Sequence, residues 1–110
     1  MSNINDVVDR FVAWYSGERT DPELREHILR NVSVDCGAPR IDAEVLVWAV
    51  EEAARPTVMT VIDRVDASAG AALLFEYVDP VTELRMRTAI FVAIEEGRIT
   101  RVRSISMAVQ

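Results

Sequence analysis

The sequence predicts an α+β fold in which three N-terminal helices pack on one face of an antiparallel sheet. The main observation is a change of period. Apolar residues recur every three or four positions in the first half, and from Thr57 onward they alternate every two. Size supplies the second observation: 110 residues allow one core, so 1–110 is read as a single domain.

Ile4, Val7, Val8, Phe11 and Tyr15 form the stripe of a first helix, which Gly17 can end. Thr20 or Asp21 can cap a second helix with Pro22 in its first turn, running to about Asn31 and burying Leu24, Ile28 and Leu29. The link over 32–40 has room for one extended stretch. Asp42 can cap a third helix whose Val45, Leu46, Trp48, Ala49 and Ala53 make a broad apolar surface, with Pro56 closing it.

Four strands follow, over 58–65, 71–78, 84–94 and 99–109. Asp79-Pro80-Val81-Thr82 reads as a four-residue hairpin loop, which sets Glu76 opposite Arg85, Phe75 opposite Met86 and Leu73 opposite Thr88. Glu95-Glu96-Gly97 reads as a three-residue hairpin, which sets Ile90 opposite Val102, Thr88 opposite Ser104 and Met86 opposite Ser106. One face then carries Leu73, Phe75, Tyr77, Met86, Thr88, Ile90, Val92, Val102, Ser104 and Ser106, and the helices cover it. The other carries Glu76, Arg85, Arg87, Phe91, Arg101, Arg103, Ile105 and Met107. Its apolar area predicts a homodimer contact.

Composition excludes much chemistry. All 12 basic residues are arginine, so there is no Schiff-base, nucleophilic or P-loop lysine. One histidine, His27, and one cysteine, Cys36, cannot build a His/Cys zinc site, a disulfide or a CxxC pair. Neither a metal nor an organic cofactor is expected. A net charge of −6 argues against nucleic acid as a main partner. Without a signal-like N-terminus or a long apolar run, no membrane association and a cytoplasmic location are expected.

Val8-Asp9-Arg10-Phe11-Val12, Val34-Asp35-Cys36-Gly37, Phe75-Glu76-Tyr77 and Glu96-Gly97-Arg98-Ile99 occur in an order that resembles the nuclear transport factor 2-like superfamily, nearest to ketosteroid isomerase and the SnoaL-like polyketide cyclases. The resemblance spans nearly the whole chain. It implies a strongly curved antiparallel sheet forming a cone, with an internal pocket that takes a flat apolar small molecule. In ketosteroid isomerase an aspartate after the second helix shuttles the proton, and Asp35 lies at or within one residue of that place. The enolate-stabilising donors of that enzyme fall at Phe11 and Ile90, which cannot donate, and the sheet aspartate of the cyclases is also missing near Ile90.

Asp35 is therefore the candidate general base, or else a loop carboxylate in solvent. Tyr15 and Tyr77 could replace the lost donors or pack at a rim. Phe11, Trp48, Met59, Leu73, Phe75, Tyr77, Met86, Thr88, Ile90, Val102, Ser104 and Ser106 are the expected ligand-contacting set, with Trp14 as core or pocket wall. His27 reads as a surface histidine and Cys36 as a small buried residue. The arginines at 85, 87, 98, 101 and 103 read as a solvated or dimer-paired group. Two functions stay open: a cofactor-independent isomerase or cyclase, and a non-catalytic ligand-binding or dimeric interaction module.

Overall fold

In the first helix, α1 (Ile4–Tyr15), the three-and-four spacing turns Val8, Phe11 and Trp14 to one side, and all three are buried. A computed structural model of the chain describes residues 4–35, 42–53 and 58–109. Helix α2 (Pro22–Asn31) starts at Asp21, whose carboxylate accepts the Leu24 N–H, and buries Leu24 and Ile28. Helix α3 (Ala43–Trp48) starts at Asp42 in the same way and widens into a π-helical turn over Ala49–Ala53. It buries Leu46, Val47 and Val50. Cys36 and the expected stop at Pro56 lie outside the described residues. No helix among those described is long and apolar enough to cross a membrane.

The sheet contains β1 (Ser33–Asp35), β2 (Thr60–Ala67), β3 (Gly70–Val78), β4 (Arg85–Glu95) and β5 (Arg98–Ala108), in the order β1-β5-β4-β3-β2. It is open and mixed, not a four-stranded antiparallel sheet. The extended stretch after α2 joins the edge as β1, parallel to β5. Three residues are too few to show a period, so the pairing of all three with β5 is what marks Ser33-Val34-Asp35 as a strand, with Val34 buried.

Both predicted hairpin registers are two residues off. The β3–β4 loop occupies six residues: Asp79 N–H donates to the Leu84 carbonyl, and the Asp79 carboxylate accepts the Val81 and Thr82 N–H groups. Val78 then pairs with Arg85, Phe75 with Thr88, and Glu76 with Arg87. Accordingly Arg87 Nε lies 3.0 Å from Glu76, against 3.8 Å for Arg85. The β4–β5 turn is a two-residue Glu96-Gly97 turn, both at positive φ, as a type I′ turn requires. That turn alone would reverse the faces of β5. A register shift follows: Ile94 pairs with Ile99 and Ala93 with Arg101, leaving Thr100 as the extra residue. The net result sets Ile90 opposite Ser104 and Thr88 opposite Ser106, with the inward set unchanged.

The core lies between the helices and the inward side chains Leu73, Phe75, Ile90, Val92 and Val102. Tyr15 stacks on Phe11 at 5.7 Å between ring centres and meets Phe75 at 4.8 Å, which seats α1 on β3. Charged side chains then fix the helices. Arg10 of α1 binds Asp21 through Nε and Nη2, and Arg64 of β2 grips Asp66 at 2.8 and 2.9 Å while reaching Asp9 of α1. Glu51, in the π turn, accepts from Trp14 Nε1 at 3.3 Å and from Arg25 at 3.2 Å. His27 is not a free surface residue: its Nε2–H donates to the Ile99 carbonyl at 2.7 Å, tying α2 to β5.

Two predictions follow from this packing. Gly70 begins β3 so close to β4 that an added Cβ would fall 2.1 Å from the Val92 carbonyl oxygen. Gly70→Ala should lower the unfolding free energy by about 3 kcal/mol in urea titrations, because backbone has to move. The second concerns acid. Bonds from Arg10 hold the Asp21 carboxyl below its ordinary range, and bonds from Arg64 do the same for Asp66. A lowered folded-state value means the stabilisation is complete above the unfolded-state value near ~4 and is lost as pH falls through the folded one. Urea midpoints should be flat from about pH 7 to 5 and drop below about pH 4. Asp21→Asn should cost about 2 kcal/mol at neutral pH and shrink that drop.

Candidate functional site

The helix-covered face of the sheet can be read as rows running across the strands. One row is Leu73, Ile90 and Ser104; the next is Val61, Phe75, Thr88 and Ser106; beyond it come Tyr77, Met86 and Ala108. Burial decreases from row to row. Leu73, Ile90, Phe75 and Thr88 are closed off, Ser104, Tyr77 and Met86 are half-buried, and Ser106 is exposed. The helical cover therefore ends between the Phe75–Thr88 row and the Tyr77–Met86 row. Tyr15 stands over that boundary through its ring contact with Phe75.

The chemistry at the boundary is a pair of hydroxyls. Thr88 is 2% exposed, and its Oγ1 lies 2.8 Å from Ser106 Oγ. Their mutual bond uses one hydroxyl proton. The pair retains a second proton, on whichever hydroxyl accepts, and spare acceptor lone pairs, and the Ser106 hydroxyl is its exposed end. Flanked by Phe75, Met86 and the Tyr77 ring, the pair stands on a mostly apolar surface with a few polar groups, the usual composition of a small-molecule site.

Most of the expected set gathers on this face, with clear exceptions. Phe11 and Ile90 are fully buried in the core, as is Val102, and Met59 packs at the core's edge. Trp48 is 59% exposed and so is not an enclosed wall. Trp14 is core, bonded to Glu51. Asp35 falls on the opposite face. Parallel pairing sets it beside Arg103, which projects outward, while its neighbour Val34 points into the core. The Asp35 carboxylate is 45% exposed and lies 3.9 Å from Arg103 Nε. The one-residue ambiguity in the resemblance thus decided its orientation, and an aspartate at 34 would have pointed inward.

A polar groove of about 700 Å³ lies elsewhere, between α1, α2 and the β4–β5 turn. Its charges mostly answer one another: Arg10 binds Asp21, Arg30 meets Glu26 at 3.3 Å and His27 is held by Ile99. Reading the sequence missed these anchors. Only Glu26 and Arg30, four apart on one helix, carried a local signal.

Three helices on one face of an open mixed sheet define an α+β protein. Neither a family model nor a curated protein matches the chain. Solved structures do. A nuclear transport factor 2-like protein of unknown function from Mesorhizobium loti superposes with a TM-score of 0.71 at 15% identity, covering 94% of this chain and 90% of its own. A SnoaL-like polyketide cyclase from Agrobacterium tumefaciens gives 0.60 at 14% identity, covering 97% and 93%. A de novo designed protein with a curved β-sheet gives 0.69 at 15% identity, covering 96% and 87%. The chain has the nuclear transport factor 2-like fold. At these identities the likeness is one of architecture, which many activities can share.

The placement of Asp35 has a measurable consequence. A half-exposed pair at 3.9 Å contributes little, so Asp35→Asn should change the unfolding free energy by less than about 0.5 kcal/mol in urea titrations.

Proposed function

We propose that the chain binds a small, mostly apolar molecule bearing one polar group at the open end of the helix-covered face. The observation that carries this reading is the Thr88–Ser106 pair, buried at one end and exposed at the other, on an otherwise apolar floor. A flat, apolar ligand is what the sequence resemblance to the nuclear transport factor 2-like superfamily implies, and a structure named as a SnoaL-like polyketide cyclase shares the fold.

Binding without general-base catalysis is the better supported of the two functions that the sequence leaves open. Isomerase or cyclase chemistry needs a proton acceptor facing the ligand, and Asp35 projects from the other side of the sheet beside Arg103. Phe11 and Ile90 supply no hydrogen bond to a developing oxyanion. In this reading the hydroxyls of Thr88 and Ser106 orient the ligand's polar group. Tyr15, Phe75, Tyr77 and Met86 supply the apolar contact.

Titration with 2-naphthol, a flat fluorescent molecule with one hydroxyl, tests the reading. Saturable binding is expected. Thr88→Val and Ser106→Ala should each weaken it about five- to tenfold, the loss of one hydrogen bond, with the fold intact by circular dichroism. Asp35→Asn should leave it unchanged. Absence of saturable binding, or an Asp35→Asn effect as large as the hydroxyl losses, would sink the proposal.

A further inference from the structure

The outer face of the sheet holds an apolar hollow with arginines along one side. Two rows cross the strands there: Ala67, Gly70, Ala93 and Arg101 in one, and Val65, Ala72, Phe91 and Arg103 in the next. Gly70 has no side chain and the alanines have only methyl groups, so the surface sinks into a concavity of about 430 Å³ between Val65, the half-exposed Phe91 ring and the two arginines. That volume lies within the roughly 300–1,000 Å³ of small-molecule sites. Arg85, Arg87, Arg101 and Arg103 all project from this face, although the chain carries a net charge of −6. Glu76 answers Arg87 at 3.0 Å and Arg85 at 3.8 Å, and Asp35 lies 3.9 Å from Arg103. Arg101, between Ala93 of β4 and Ser33 of β1, forms no ion pair among the described residues.

We propose that this hollow binds a small apolar carboxylate, whose hydrocarbon part lies on the alanine floor against Phe91 and whose carboxylate meets Arg101. Each part of the site contributes to that choice. Glycine and alanine leave room without offering a side-chain hydrogen bond, so the floor takes hydrocarbon. The Phe91 ring stands half in solvent, and a flat molecule laid against it removes apolar area from water on both partners. A guanidinium is a planar fork of donors that holds a carboxylate through two parallel bonds. Beside a hydrocarbon surface those bonds are less screened than in open water. A neutral molecule would leave Arg101 unanswered, and a cation would meet like charge. An open hollow covers one side of its ligand, so a dissociation constant of about 0.1 to 1 mM is expected. The inference is independent of the Thr88–Ser106 reading, because the two sites lie on opposite faces of the sheet.

Titration of the isotopically labelled full chain with 2-naphthoate, followed through amide chemical shifts, tests it. Saturable shifts are expected at Gly70, Ala93 and Arg101. Arg101→Gln should weaken binding about fivefold or more, whereas Arg98→Gln, at the β4–β5 turn, should leave it unchanged. Ala72→Leu fills the floor and should weaken binding about as much, with circular dichroism unchanged. The alcohol 2-naphthylmethanol, which has the same rings without the charge, should bind this hollow about fivefold more weakly or worse. Shifts confined to the Thr88 and Ser106 side of the sheet, or no saturation by about 10 mM, would overturn the proposal. Equal binding of the alcohol and the carboxylate would do the same. An affinity that falls as the protein is raised from about 50 to 500 µM would assign the hollow to a second copy of the chain, and overturn it too.

Discussion

The strict alternation of side chains across β3, β4 and β5 is the constraint on which the core, the hydroxyl pair and the outer face all depend. A one-residue slip anywhere in these hairpins would send Phe75, Ile90 and Val102 into solvent and draw arginines inward. The β4–β5 hairpin shows how the constraint is met. A tight two-residue turn suits the twist of the strands, but it leaves β5 out of step. The extra residue at Thr100 restores the alternation within one bulge. Thr88 and Ser106 meet because both corrections are present.

That parity also explains what could be read from the sequence. Both registers came out two residues wrong, yet every inward residue stayed inward, because an even slip preserves the face. The faces of the sheet, the first helix and the caps at Asp21 and Asp42 were legible because each leaves a local mark. Asp35 was not. Its orientation depends on the pairing of β1 with β5, across a gap of more than sixty residues, and a three-residue strand carries no period of its own. The six-residue β3–β4 loop was hidden for a related reason: Leu84 continues the apolar alternation of the strand while serving as the loop's last acceptor.

The absence of lysine, at first only a list of excluded mechanisms, acquires a structural meaning. Arg10 holds Asp21 through two nitrogens, and Arg64 holds Asp66 through two while reaching Asp9. A planar fork matches a carboxylate in a way that a point-like ammonium cannot. The helices of this fold bury only a few large side chains each, so directional ties between α1 and α2 and between α1 and the edge strand β2 complement modest apolar contact. The same ties carry acid sensitivity, because the carboxyls that Arg10 and Arg64 hold, Asp21 and Asp66, are held below their ordinary range.

Strand β2 carries a final consequence. It ends the sheet on one side, where an unpaired row of backbone groups invites another strand. Its register slips between Val61 and Asp63, and farther along Arg64 and Asp66 turn charge toward the helix-covered side. A kinked, charged border is a poor template for strand addition. The other border, β1, is only three residues long. Sideways growth is therefore discouraged at both ends, and the open sheet stays a single five-stranded unit without a barrel's closure to hide its borders.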